Sequence, residues 1–98
     1  MTQDKNDILK MLNAELPHLN KTFHVKSIGV FGSWARGDQT EESDVDLLVD
    51  FVKPVGFFKF LELEDYLSEK LRLGVDLVTP DALKPLIKDH ILGEALFA

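Results

Sequence analysis

Cysteine is absent from the 98-residue sequence, which excludes a disulfide framework, a thiol nucleophile and a thiolate metal site. A long hydrophobic run is absent too, because charged residues such as Asp7, Lys10 and Glu15 interrupt the apolar residues of the first segment. Neither a signal peptide nor a membrane span of about 20 residues is therefore expected. The sequence predicts a cytoplasmic protein with no membrane partner.

Basic residues are few. Eleven Lys and Arg stand against seventeen Asp and Glu, which gives a net charge of −6. That sign is wrong for a protein whose affinity would come from neutralising nucleic-acid phosphates, so no nucleic-acid partner is expected. Apolar residues make up 45% and charged residues 29%, as in ordinary globular chains. The length suits one domain, and we expect residues 1–98 to form it.

Apolar periodicity predicts three helices. The first segment has apolar residues at every fourth position, at Ile8, Leu12 and Leu16. This helix would be capped by Thr2 or Asp4 and would end at Pro17. A second amphipathic helix is predicted from Phe57 to near Gly74 and would carry Tyr66 half buried, and a third is predicted over Leu86 to Phe97.

Three β-rich runs predict strands over Val25 to Phe31, Val45 to Phe51 and Val75 to Val78. Ser33 to Ser43 is polar except for Trp34 and Ala35, and it predicts a loop that opens with one helical turn. Trp34 in this loop is either a packing anchor or a stacking surface for a nucleotide base. The order of elements predicts an α/β (α+β) domain, a short mixed sheet flanked by helices.

Six acidic residues and no basic ones lie between positions 38 and 50: Asp38, Glu41, Glu42, Asp44, Asp46 and Asp50. Glu41 and Glu42 suit a solvated loop. Asp44 and Asp46 have the two-residue spacing that places side chains on one face of a strand, and like charges there are costly unless a cation offsets them. Oxygen ligands without His or Cys favour Mg²⁺ or Mn²⁺.

Asp76 lies in another apolar strand and is a candidate third carboxylate. If the two strands are neighbours, the three acids could hold two metal ions about 3.5–4 Å apart, as in phosphoryl-transfer sites. The alternative is an edge-strand residue that faces solvent, and the residues alone favour neither interpretation.

Gly32 and Ser33 directly follow the first predicted strand. Glycine lets a phosphate approach the backbone, and a serine at a helix start offers donors to an anion, although an ordinary N-cap is the simpler interpretation of Ser33. The combination is more specific, because ten residues separate this pair from Asp44-x-Asp46. A phosphate-binding turn opposite a carboxylate pair is what a nucleoside triphosphate with Mg²⁺ requires.

The segment GSWARGDQTEESDVDLLVDF resembles the G-S-x(10)-D-x-D signature of the polymerase-beta-like nucleotidyltransferases. Ala35-Arg36-Gly37 and Ser43 resemble the minimal, MNT-type members, which are short proteins usually encoded beside a HEPN partner. The resemblance implies transfer of AMP from ATP with release of pyrophosphate. It also implies a two-metal site in which Asp44 and Asp46 bind both Mg²⁺ ions.

The same resemblance implies that Asp76 binds the catalytic metal and helps to deprotonate the acceptor hydroxyl. Gly32 and Ser33 would hold the β- and γ-phosphates, with assistance from Arg36. Larger members bind the acceptor with an additional domain, so here we expect it to come in trans. The resemblance to MNT-type proteins implies that the acceptor is a tyrosine of a HEPN ribonuclease toxin. The toxin and this chain would then form a hetero-oligomer. The alternative is an antitoxin that neutralises the toxin by binding alone.

Overall fold

The computed structural model describes residues 4–98. Along the chain it contains α1 (Lys5–Phe23), β1 (Val25–Phe31), α2 (Ser33–Arg36), β2 (Val45–Phe51), α3 (Phe57–Leu71), β3 (Val75–Val78), a 3₁₀ turn (Pro80–Ala82), α4 (Pro85–Glu94) and β4 (Leu96–Phe97). The three predicted strands and the helical turn after β1 are confirmed. The fold is α+β with a mixed sheet, as predicted.

The four strands form one sheet in the order β3-β2-β1-β4. β1 runs antiparallel to both β2 and β4, while β2 and β3 are parallel. Parallel neighbours need a crossover connection, and α3 supplies it between β2 and β3. This crossover brings β3 beside β2, and the two strands carry the predicted acidic residues.

The two faces of the sheet are covered differently. Val45, Leu47 and Val49 of β2 point to one face and pack in the main core with residues of α1 and α3. Leu48 points to the other face, where it joins Phe31 and Ile91 of α4 in a smaller cluster. Because side chains alternate along a strand, Asp46 shares the face of Leu48. The acidic residues therefore lie on the face that α4 covers.

α1 is longer than predicted. It continues through Pro17 to Phe23, so the prediction that Pro17 ends the helix is wrong. Buried residues on both sides of Pro17 hold the helix against the sheet, and this packing outweighs the lost hydrogen bond: Ile8, Leu12, Leu19 and Phe23. Asp4 is the N-cap, as one of the two predictions had it, and Thr2 lies outside the described residues.

The C-terminal helix is shorter than predicted. α4 ends at Glu94, and Leu96–Phe97 forms β4, so a helix over Leu86 to Phe97 is wrong for the last residues. β4 pairs with Gly29 and Val30 along the edge of β1 that β2 leaves open. Among residues 4–98, no helix has the length and apolar character needed to cross a membrane.

Candidate active site

Asp46 and Asp76 are neighbours in adjacent strands. The parallel register of β2 and β3 places Asp46 opposite Asp76, and on its other side Asp46 pairs with Phe31, the last residue of β1. Asp46 is partly buried and Asp76 is exposed. Asp76 is therefore an exposed edge-strand residue, which was the alternative interpretation. It also lies beside Asp46, which the interpretation as a third carboxylate of the site required.

Asp44 lies near Asp46 and Asp76 although it is not a residue of β2 and so does not share a strand face with Asp46. It precedes β2 by one residue, and the Val45 N–H donates to the Gly74 carbonyl oxygen at 2.8 Å. The Asp44 carboxylate lies against Gly74, where an added Cβ would be 3.1 Å from Asp44 Cγ. Gly74 directly precedes β3, so Asp44 is held at the start of the strand that carries Asp76.

Gly32 makes the close turn that separates β1 from α2. Its φ of 74° and ψ of −151° suit glycine, and a Cβ there would lie 3.1 Å from Asp46 Cγ. The Asp46 carboxylate thus packs directly on the glycine backbone. Gly32 occupies the N-cap position of α2 without a side-chain cap, and Ser33 is the first helical residue. The simpler interpretation of Ser33, as an N-cap, is therefore wrong.

Trp34 anchors the loop that leads back to the acidic residues. Its side chain is buried in the main core, and its Nε1–H donates to the Ser43 carbonyl oxygen at 3.4 Å. Ser43 Oγ in turn accepts from the Thr40 N–H at 2.9 Å. Trp34 is thus a packing anchor and not an open stacking surface. These contacts fix the residue directly before Asp44.

Arg36 closes α2 and is held by two carboxylates. Its Nη1–H donates to Glu94 Oε1 at 2.7 Å, and its Nε–H donates to Asp38 Oδ2 at 3.2 Å. Both bonds raise the pKa of the Arg36 guanidinium, that to Glu94 more strongly. Glu94 is the last residue of α4, so this ion pair ties the C-terminal segment to the helical turn after Ser33.

The three carboxylates of the site repel one another. Partial burial raises the pKa of the Asp46 carboxyl, and the charges of Asp76 and Asp44 raise this pKa further. Arg36 lowers the pKa of Asp46, and Glu94 raises it. Like charges therefore lie close together, and among the described residues Arg36 is the cation that opposes them. A bound divalent cation would relieve that repulsion.

The donor set is open, not a closed cage. Among residues 4–98, no three His, Cys, Asp or Glu side chains converge closely enough to hold a metal ion. Mg²⁺ is commonly bound by one or two carboxylates, with phosphate oxygens and water as its remaining ligands. Asp44, Asp46 and Asp76 supply hard oxygen ligands of that kind. They suit a cation that arrives with a phosphorylated substrate.

Five predicted site residues come together at one corner of the sheet: Gly32, Ser33, Asp44, Asp46 and Asp76. Arg36 lies at the end of the same helical turn. Glu94 was missed, because it looks like an ordinary polar residue of a C-terminal helix and contacts Arg36 from 58 positions away. Nothing in the local sequence signals that contact.

A glycine-serine turn opposite strand carboxylates, on a small mixed sheet, defines a nucleotidyltransferase-type site. The nucleotidyltransferase domain family matches residues 9–98, and the chain belongs to this family. Among its relatives is the protein adenylyltransferase MntA of Thermococcus cleftensis. That protein is 45% identical over 91 residues, which span 93% of this chain and 92% of MntA.

Solved structures share the fold. One, provisionally described as a minimal nucleotidyltransferase, has 31% identity and a TM-score of 0.82, and the match covers 96% of this chain and 95% of that one. Another contains a tri-AMPylated Shewanella oneidensis HEPN toxin in complex with an MNT antitoxin. It has 22% identity and a TM-score of 0.59 over 95% of this chain and 66% of that chain, a likeness that shows the fold alone.

Proposed function

We propose that this protein transfers AMP from ATP to a tyrosine hydroxyl of a HEPN-type ribonuclease toxin in the cytoplasm, and so acts as its antitoxin. The observation that carries the proposal is the pairing of Asp46 with Asp76 in adjacent strands, next to the Gly32 turn. That pairing supports the proposal because it brings two carboxylates, which can bind a metal ion, beside the turn that Gly32 makes. The enzyme name of the 45% identical relative supports the same activity.

Residues 32–36 form the phosphate side of the proposed site. The space that a Gly32 Cβ would fill holds the Asp46 carboxylate, so the turn and the carboxylate are in contact. Ser33 follows as the first residue of α2 and brings its hydroxyl to the start of that turn. Gly32 and Ser33 hold the β- and γ-phosphates. Arg36, one turn further on, supplies a positive charge close to the carboxylates and assists in binding the triphosphate.

The metal side consists of Asp44, Asp46 and Asp76. Asp44 and Asp46 would hold both Mg²⁺ ions, and Asp76 would hold the catalytic one of the two. Bound Mg²⁺ neutralises phosphate charge and makes the acceptor hydroxyl more acidic. Asp44 is fixed against Gly74 and Asp46 against Gly32, so both carboxylates are oriented before substrate binds.

Transfer is a substitution at the α-phosphorus of ATP. Asp76, which is exposed on the edge strand β3, accepts the proton of the tyrosine hydroxyl. The phenolic oxygen then forms a bond to the α-phosphorus, and the bond from that phosphorus to the α,β-bridging oxygen breaks. Pyrophosphate leaves, held by Ser33 and Arg36. The products are AMP-tyrosine and pyrophosphate.

The acceptor is a protein that arrives in trans and forms a hetero-oligomer with this chain. The net charge of −6 disfavours RNA or DNA, whose affinity depends on cationic side chains. A solved complex with the same fold holds an AMPylated HEPN toxin, which supports the choice of partner. Exposed Asp76 leaves room for a side chain to enter from solvent.

The test is intact-mass spectrometry of a HEPN partner co-expressed with this protein. We expect the partner to gain one or more AMP units, which fragmentation locates on tyrosine. The double variant Asp44→Asn with Asp46→Asn should give no mass gain, because it removes the carboxylates that hold the cation. Asp50→Asn is the matched control: it removes a carboxylate from the same face of β2, outside the site, and should leave the mass gain intact.

An unmodified partner that still co-purifies with the wild-type protein would overturn the proposed transfer. The protein would then neutralise its partner by binding alone. AMP found on another residue type would overturn the choice of tyrosine and leave the nucleotidyltransferase activity in place.

A further inference from the structure

The ion pair between Arg36 and Glu94 lies next to the carboxylates, yet Glu94 has no place in the proposed chemistry. Its charge raises the pKa of Asp46, so it adds to the repulsion in the site. An acidic residue in such a place needs a function that offsets this effect. The 2.7 Å bond to Arg36 is the contact that supplies one.

Glu94 is a fixed anchor, whereas the other carboxylate on Arg36 is not. The Glu94 side chain is 15% exposed, and that of Asp38 is 61% exposed. Glu94 ends α4, which packs through Ile91 on Phe31 of β1, and β4 follows at once and pairs with the same strand. β1 also leads directly into the Gly32 turn. Glu94 and the Gly32 turn are therefore both joined to β1, one through Ile91 and β4 and the other along the chain.

The geometry of the guanidinium leaves donors available. Glu94 engages Nη1 and Asp38 engages Nε, so the two carboxylates hold two corners of the planar fork. Nη2 remains to donate to a further acceptor. An arginine held in this way loses less conformational entropy when a phosphate binds than one that moves freely in solvent.

We infer that Glu94 is a positioning residue that holds the Arg36 guanidinium ready to donate to the β- and γ-phosphates of ATP. The inference rests on the proposed function, since it requires a triphosphate in the site. Glu94 itself touches neither substrate nor metal. It acts through Arg36, so its removal should weaken binding of the triphosphate and have no effect once Arg36 is gone.

The experiment measures the dissociation constants of a non-hydrolysable Mg–ATP analogue and of AMP by calorimetry. Glu94→Gln should weaken analogue binding roughly tenfold, the size expected for one charge-assisted hydrogen bond made less favourable. AMP affinity should stay within about twofold, because AMP lacks the phosphates that Arg36 contacts. A merely structural defect would weaken both ligands alike.

Three further variants complete the test. Arg36→Gln alters an exposed side chain, so it should fold normally and weaken analogue binding as Glu94→Gln does. In the double variant, Glu94→Gln should add nothing to Arg36→Gln. Glu62→Gln removes one negative charge from α3, on the other face of the sheet, and controls for the change in net charge.

Each outcome distinguishes the inference from the proposed function. A wild-type protein that binds no Mg–ATP analogue would overturn both. Wild-type binding with an unchanged Glu94→Gln variant would overturn the inference alone. An equal loss on adding Glu94→Gln to Arg36→Gln would also overturn it, because Glu94 would then act independently of Arg36.

Discussion

The Asp46 carboxylate occupies the space that a side chain at position 32 would need, so a Cβ on Gly32 would collide with it. We expect Gly32→Ala to displace Asp46 and to abolish stabilisation by Mg–ATP, which at a hundredfold excess over Kd would be about 2.7 kcal/mol in the wild type. Alanine at a φ of 74° is also strained, which should lower the free energy of unfolding by about 1–2 kcal/mol. Thermal melting with and without Mg–ATP measures both effects.

Gly37→Ala is the matched control for this prediction. Gly37 has a similar φ of 82°, but nothing lies within 4 Å of an added Cβ there. Its ψ of 13° places Gly37 in the left-handed helical region, so this variant should lose less stability from backbone strain than Gly32→Ala and should keep its response to Mg–ATP. If Gly32→Ala also kept the full response, the close contact between glycine and carboxylate would have no role in nucleotide binding.

Tyr66 is the one tyrosine of the sequence, and its contacts argue against self-modification. Its hydroxyl donates to Glu15 Oε2 at 2.6 Å, and this bond raises the pKa of Tyr66 to about 12. A phenol that attacks phosphorus must give up its proton. Tyr66 also lies on α3, which packs on the face of the sheet opposite Asp46. Tyr66 is therefore a poor acceptor for the proposed transfer.

At the scale of elements, α1 tolerates a proline in its interior. Replacing Pro17 with Ala restores an N–H that can donate to the Asn13 carbonyl and removes a poor helix former from an exposed position. We expect the free energy of unfolding to rise by about 1–3 kcal/mol, less what the unfolded chain gains in entropy when proline is lost. Urea denaturation measures this change.

Pro17→Gly provides the comparison. It also removes the ring and restores the N–H, but glycine is a weaker helix former than alanine by about 1 kcal/mol. Its gain should therefore be smaller by that amount. A Pro17→Ala variant no more stable than the wild type would mean that α1 is bent around Pro17 in a way that its packing requires.

Local patterns predicted the elements that carry the site, and they failed where long-range pairing decides. Val45–Phe51 and Val75–Val78 are short apolar runs, and their bounds are as predicted. β4 has two residues, too few for any periodicity, and it exists because β1 offers an open edge. A glycine in the middle of β1, Gly29, was the one hint in the sequence that another backbone approaches this strand. In the structure, a Cβ on Gly29 would lie 2.9 Å from the Leu96 carbonyl oxygen.

The site was predictable in composition but not in geometry. The spacing of Gly32-Ser33 and Asp44-x-Asp46 identified the residues, yet it placed Asp44 on a strand that begins one residue later. The position of Asp76 depended on strand order, which the residues alone left open. Glu94 was beyond reach, because its partner lies 58 residues away and only the folded chain brings the two together.

At the scale of the whole molecule, the sheet separates stability from function. One face supports the main core with α1 and α3, and the other carries the carboxylates beside a small cluster under α4. The acidic residues on that second face reduce stability in the absence of a cation. The folded state of the metal-free protein therefore carries an unfavourable electrostatic contribution that depends on pH.

Neutralising Asp46 should stabilise the metal-free protein at neutral pH. Burial and the charges of Asp76 and Asp44 raise the pKa of Asp46 in the folded state, so this state holds its proton longer than the unfolded chain does. Stability is therefore lost as pH rises from about 4, near the pKa of an unfolded Asp, through the raised value. Asp46→Asn removes the loss, so its advantage over the wild type should be absent below about pH 4 and should grow as pH rises through the raised pKa of Asp46. Urea unfolding with chelator across this range measures it, with Asp50→Asn as the control that should show no such trend. An advantage that stays constant with pH would mean that packing, not charge, sets the effect.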